Sequence, residues 1–158
     1  MLVDAKAESR AALRSVGALI TDQKGRVLLQ RRDQKTSIYF PGLWGVFGGS
    51  CEGDETPEAA IIREIWEELA VRVPSAELFI TWNIRCRDLG EEPRERYFYN
   101  VEFTPEMTAG IKLSEGQEYR FFEVRELPPV AQVVPFDLAA WIMFSHARLL
   151  GSQVRPQP

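Results

Sequence analysis

The chain has 158 residues, with 19 basic and 23 acidic side chains, a formal charge of −4 and one histidine. That length fits a single domain, expected over 1–158 with its core at about 14–150, and a hydrophobic content of 45% is ordinary for a soluble globular protein. A pI near 5.2 argues against general nucleic-acid affinity, no run of about 18 apolar residues offers a membrane span, and the N-terminal MLVDAKAESRAALR has no apolar core of a secretory signal.

Residues 14–21 (RSVGALIT) and 26–31 (RVLLQR) are short β-rich runs around the turn signal Asp22-Gln23-Lys24-Gly25 and predict a hairpin. Residues 33–55 read as loop, with Pro41 and five glycines among aromatics. From Thr56 the pattern turns helical and holds to Leu69; Thr56 reads as N-cap, Pro57 as the first helical residue and Glu58 as a first-turn acid. Residues 77–86 and 96–103 read as strands flanking the charged connection RDLGEEPRE, and 118–124 as another. Trp82, Tyr97 and Tyr99 fall within these strands. A final helix is expected over about 136–150, followed by a frayed tail. The expected class is α/β, a mixed sheet with a few helices. Cys51 and Cys86 have no CxxC spacing and suit a reducing, cytoplasmic setting. His146 is too isolated for a histidine-based metal site or a serine–histidine triad.

Residues 48–71 carry seven acidic side chains and one basic one, Arg63, so the rest of the chain is slightly positive. At 100° per residue, Ile61, Ile62, Ile65, Trp66 and Leu69 form a wide apolar arc, as in a helix packed on a sheet. Glu64, Glu67 and Glu68 form the opposite arc, with Ala60 beside them. As a solvated face this arc gains Arg63–Glu67 and Glu68–Arg72 pairs of roughly 0.2–0.5 kcal/mol each, but Glu64 and Glu68 are like charges at i,i+4. Acids near a helix C-terminus also oppose its dipole. A hard divalent cation, which takes oxygen ligands, accounts for the crowding.

Gly49, five residues, Glu55, seven residues, then REIWEELAV (63–71) closely resembles the signature of Nudix (MutT-type) hydrolases, G-x5-E-x7-R-E-U-x-E-E-x-G-U, with U aliphatic. Eight of the nine defined positions match; Ala70 stands where the family usually has glycine. The approach segment PGLWGVFGG (41–49) is also similar, with Phe47 in place of a proline often found there. The resemblance implies a Nudix-type α/β/α sandwich around a mixed sheet, and hydrolysis of a nucleoside diphosphate linked to another group with Mg2+ or Mn2+. It implies Glu64, Glu67 and Glu68 as metal ligands, Arg63 as a clamp on Glu55, and Gly48 and Gly49 as backbone devices of the motif. Glu115 resembles an additional carboxylate from outside the helix, with Glu118 as its substitute. The departure at Ala70 raises the expectation that the turn there is built differently.

Arg31 and Arg32 are candidate phosphate contacts. Phe40, Trp44 and Phe47 are candidates for stacking on a base, and Asp137 for reading a base edge; core packing and a helix N-terminal acid are the competing explanations. The expected partner is a small nucleotide, a triphosphate (oxidised or not) or a nucleotide sugar, with no nucleic acid and no membrane, in a monomer or homodimer. A nucleotide-binding sensor of the same fold is the alternative; RNA 5′ ends would call for a basic groove.

Overall fold

A computed structural model describes residues 13–85, 93–123 and 125–153, with side chains to 149. Cys86 and most of the charged connection lie outside the described residues. The elements are β1 (Leu13–Thr21), β2 (Val27–Arg31), β3 (Trp44–Gly45), α1 (Pro57–Leu69), β4 (Glu77–Ile84), β5 (Arg94–Glu102), α2 (Pro105–Ala109), β6 (Glu118–Phe122) and α3 (Pro135–Gln153), with a 3-10 turn at Val130–Gln132 before α3. Strand order is β3-β2-β1-β5-β4, with β6 also paired to β2. β1 and β5 are parallel along nine residue pairs, while β1–β2, β2–β3, β2–β6 and β4–β5 are antiparallel. The sheet is therefore mixed, as expected.

Alternation along β1 decides the layers. Val16, Ala18 and Ile20 face one way and pack with Ile61, Ile65 and Leu69 of α1, while Leu19 faces the other way among Trp141 and Phe144 of α3. One helix on each face gives the α/β/α sandwich. Trp44 and Phe47 are both core side chains, 7% and 0% exposed; Trp44 meets Phe122 edge-on at 5.0 Å. Neither is available to stack on a ligand, which corrects the expectation for both. The competing explanation, core packing, holds because alternation in this approach segment turns them toward opposite cores.

The start of α1 follows its signal: Thr56 accepts a hydrogen bond from the Ala59 amide at 3.2 Å, with Pro57 in the first turn. The same Thr-Pro-Glu signal recurs at 104–106 and starts α2, a short helix that the expected elements omitted. The final helix runs three residues past its expected end, to Gln153, so the first part of the tail is helical.

Two placements on α1 differ from the helical projection. Ala60 is fully buried in the core instead of bordering the acidic arc. Trp66 is 43% exposed, at the arc's edge, with the Arg72 guanidinium stacked 4.2 Å over its ring in place of a Glu68–Arg72 pair. Ala70 nonetheless adopts the left-handed cap (φ 55, ψ 28), and its amide bonds back to the Trp66 carbonyl, so the turn is of the ordinary left-handed kind built without glycine. A β-carbon there costs roughly 1 kcal/mol. Ala70→Gly is therefore expected to stabilise the protein by about that amount in chemical denaturation; an unchanged or lowered midpoint would mean that residue 70 is unstrained.

Candidate active site

The segment before α1 runs along β1: the Val16 amide donates to the Gly49 carbonyl and the Ala18 amide to the Phe47 carbonyl, each at 2.8 Å. Gly48 makes this approach possible, because a β-carbon there would strike the Val16 carbonyl. Gly49 leaves room for something else: its missing β-carbon would sit 2.7 Å from the Glu64 carboxyl carbon. The two glycines of the motif thus admit the strand on one side and a carboxylate on the other.

Arg63 is the hub of the acidic segment. Its guanidinium donates to both oxygens of Glu55 (2.7 and 3.3 Å), to Glu64 (3.0 Å), to Glu67 (2.9 Å) and to the Ser50 carbonyl (3.1 Å). The fork on Glu55 matches the planar donor geometry of arginine. It holds Arg63 more firmly protonated than usual and the Glu55 carboxyl below its ordinary range.

Glu68 does not belong to a solvated face. It lies seven residues after Ile61, two turns along the same stripe, and is 5% exposed. Gly48 donates its amide to one carboxyl oxygen at 2.8 Å and Gln30 its side-chain amide to the other at 3.2 Å. Desolvation outweighs these donors and pushes the group from the ordinary 4.5 up to about 7, with the charges of Glu64 and Glu115 adding to the rise. Burial likewise raises Glu64.

Acids at the C-terminus of α1 need compensation, and a distant loop supplies it. Ser114 donates its amide to the Glu68 carbonyl at 2.9 Å and its hydroxyl to that of Glu67, while Lys112 donates its amide to Leu69 at 2.8 Å. Gln117 ties the loop's far end to the Arg31 and Arg32 carbonyls, each at 2.8 Å. Glu115 is thereby fixed near the helix, exposed, with its charge felt at Glu64 and Glu68. Glu118 is engaged elsewhere, with Arg31 at 3.5 Å. Arg31, the last residue of β2, is exposed and spends its guanidinium on this pairing.

The carboxylates are not closed on one point: among the described residues, no group of three His, Cys, Asp or Glu side chains is gathered as a metal cage. The convergence expected from the projection is looser because Arg63 draws Glu64 and Glu67 onto its own nitrogens. The donor set still suits a hard cation. It is all oxygen, it includes a buried carboxyl that ionises near neutrality, and Gly49 keeps the Glu64 carboxylate unobstructed.

Beside the glutamates a cleft of about 180 Å³ opens, lined by Arg32, Tyr39 and Phe40 of the β2–β3 loop, Gly48 and Gly49, Arg94 and Arg96 of β5, and Phe136 and Asp137 of α3. Asp137 is 2% exposed; it accepts from the Val46 amide and from Arg96, both at 3.0 Å. Both of its oxygens are thus bound by protein donors, so it offers no base-reading edge; it is the first-turn acid of α3, the competing explanation, and serves as a buried strut behind the cleft. Arg32 Nε donates to the Tyr39 carbonyl (3.0 Å) and Arg94 donates to the Tyr39 hydroxyl oxygen (2.8 Å), with the Arg94 guanidinium also 4.7 Å over the Tyr39 ring. Phe40, in a left-handed conformation (φ 54), meets Phe136 edge-on at 5.4 Å. Arg94, Arg96, Tyr39, Phe136 and Gln30 were not among the sequence candidates. The alternation of Arg94 and Arg96 along one strand face was a usable signal; the other three depend on tertiary contacts.

The raised Glu68 group makes stability pH-dependent when divalent cations are chelated. Below about pH 4.5 both folded and unfolded states are protonated at this site. Between 4.5 and 7 the unfolded chain is ionised while the folded one keeps its proton, so stability falls with rising pH, by up to about 3 kcal/mol, and levels off above 7. Urea denaturation in chelator at pH 5, 6, 7 and 8 checks this; stability that rises over the interval would contradict it. Added Mg2+ is expected to recover the loss at pH 8.

Comparisons with known proteins bear on this arrangement. The family model for the NUDIX domain matches residues 12–142. A MutT-like protein of Streptomyces ambofaciens is 41% identical over 64 residues, which is 40% of this chain and 38% of that protein. An RNA pyrophosphohydrolase of Gluconacetobacter diazotrophicus is 28% identical over 121 residues, 68% of this chain and 72% of that one. The crystal structure of a MutT protein from Methanosarcina mazei Go1 superposes with a TM-score of 0.72 at 22% identity, over 89% of this chain and 97% of the other. The chain therefore spans less than half the length of the first of these relatives, while the fold matches nearly end to end.

Proposed function

This chain belongs to the NUDIX family, and from that premise we propose that it is a metal-dependent pyrophosphohydrolase. Its substrate is a nucleoside diphosphate linked to a further group, a nucleoside triphosphate or a nucleotide sugar, and its products are a nucleotide and a phosphorylated leaving group. The observation that carries the reading is the set formed by Glu64, Glu67 and Glu68 around the Arg63–Glu55 clamp, with Glu68 buried and titrating at about 7. Nudix hydrolases generally use a divalent metal; here the ion is proposed to be Mg2+, with Mn2+ able to replace it, held by Glu64, Glu67 and Glu68 with Glu115 contributing from its loop. When bound, it supplies neutralisation of the phosphate oxygens and a lowered pKa for the attacking water.

The chain's own groups do the rest. Water attacks one phosphorus, the bond from that phosphorus to the bridging oxygen breaks, and the bridging oxygen leaves with the electron pair. The proton lost by the water passes to a carboxylate of the glutamate set. Arg63 keeps that set oriented, since it binds Glu55, Glu64 and Glu67 at once. The cleft beside the glutamates receives the nucleoside, against Phe40 and Phe136. No helix among the described residues is long and apolar enough to cross a membrane, and the proposed setting is the cytoplasm, with a small nucleotide as partner. The test is phosphate release, coupled to a phosphatase where needed, over nucleoside triphosphates, oxidised triphosphates, nucleotide sugars and dinucleoside polyphosphates. Turnover that requires Mg2+ and stops with chelator is expected; inactivity on every member would overturn the proposal.

A further inference from the structure

The polar groups facing the cleft are mostly hydrogen-bond donors. The one carboxylate among its lining residues, Asp137, spends both oxygens on Val46 and Arg96. Arg32 stands differently: its Nε donates to the Tyr39 carbonyl, and among the described residues neither of its terminal nitrogens is in a hydrogen bond or ion pair. Burial bears on this guanidinium, with Asp137 and the competing charge of Arg96 close enough to act on it. An immobilised planar fork with open N–H groups calls for a planar partner bearing two adjacent acceptors. Phe40 and Phe136 line the same cleft and meet edge-on, with the Arg96 guanidinium 5.5 Å over the Phe136 ring, so a flat ring has an aromatic pair to pack against. Phe40 is held there in a backbone conformation that a bulky residue rarely adopts (φ 54), and strain of that kind concentrates where a ligand must be gripped.

We propose that Arg32 is a specificity-determining residue that reads guanine, its terminal nitrogens donating to O6 and N7 while Phe40 and Phe136 hold the ring. This deepens the hydrolase reading and rests on it for the place of the nucleoside. Guanine alone among the common bases sets two acceptors side by side on that edge; adenine pairs its N7 with an N–H donor, cytosine presents a donor, and uracil a single carbonyl. 8-Oxoguanine carries a hydrogen on N7, so it also mismatches the fork. The cleft therefore favours guanine nucleotides over both adenine nucleotides and oxidised guanine nucleotides.

The test is equilibrium binding of GMP, AMP, CMP, UMP and 8-oxo-GMP to the full chain by titration calorimetry, which needs no turnover. GMP is expected to bind roughly 10- to 100-fold more tightly than AMP, the range of one good bidentate base contact, and more tightly than 8-oxo-GMP. Arg32→Lys keeps the charge and removes the fork; it is expected to lower GMP affinity to the AMP level and leave AMP unchanged, with the circular dichroism spectrum preserved. Equal binding of all five nucleotides by the wild-type chain would overturn the proposal. An equal loss for every base in the variant would also overturn it, because Arg32 would then be a phosphate contact. The wild-type series decides the matter even if the variant does not fold. Guanine-selective binding without hydrolysis would count against the enzymatic reading alone, and base-blind turnover against this proposal alone.

Discussion

Glu68→Gln is expected to lower kcat by about 10²–10⁴-fold, the range for losing a positioned acid–base group, and to leave the fold as stable as before or firmer at pH 8. The side chain is 5% exposed and its carboxylate is costly to bury, as its rise to about 7 reflects. Glutamine has the same length. Its amide oxygen can still accept from the Gly48 amide, now at 2.8 Å from the carboxylate, and the Gln30 amide can adjust to the other end. What the variant loses is the negative charge toward a cation and the ability to take a proton. Measuring kcat beside a urea midpoint separates the two effects. Full activity in the variant would remove Glu68 from the chemistry, whereas inactivity with a collapsed midpoint would assign it a structural role only.

Asp137→Ala is expected to have the largest effect on stability, a loss of about 3 kcal/mol, read as a fall of roughly 10 °C in Tm for a chain of this size. Two groups are orphaned together: the Val46 amide and the Arg96 guanidinium, whose side chain is 15% exposed. A buried donor without an acceptor and a buried charge without its partner each cost far more than the contact contributed when made. The double variant Asp137→Ala with Arg96→Met is expected to recover part of the loss, because the unpaired charge is gone. A single variant within 1 °C of wild type would mean that Arg96 finds another partner and that the strut is dispensable.

The acidic segment illustrates where a local pattern stops being sufficient. Spacing alone identified α1, its cap, the Gly49–Glu55–Arg63–Glu64–Glu67–Glu68 set and, through the resemblance, the fold. These survive because helical period, capping and motif spacing are properties of neighbouring residues. Which glutamate would be buried was a different matter. Glu68 shares a projection with Glu64 and Glu67, yet it is the one that Gln30 of β2 and Gly48 of the approach segment enclose. Trp66, read as apolar-arc core, stays half in solvent under Arg72 for the same reason: what covers a helix's edges is decided by elements far along the chain.

The cleft carries the point further. Trp44 and Phe47 have the chemistry of base-stacking residues, but strand alternation sends both into the two cores, and the ring-bearing role passes to Phe40 and Phe136, from a loop and a helix start 96 positions apart that meet edge-on. Asp137 was legible as an acid near a helix N-terminus; that it would support Arg96 and Val46 was not, since its partners lie 41 and 91 positions away. By itself the sequence determined the family, the main strands and helices apart from β3 and α2, and the candidate residues for the chemistry, all of which are encoded at short range. Only the tertiary structure decided which of those side chains are desolvated, which are spent on internal partners and which remain open to a ligand, because burial and pairing are made by contacts between segments that no local pattern connects.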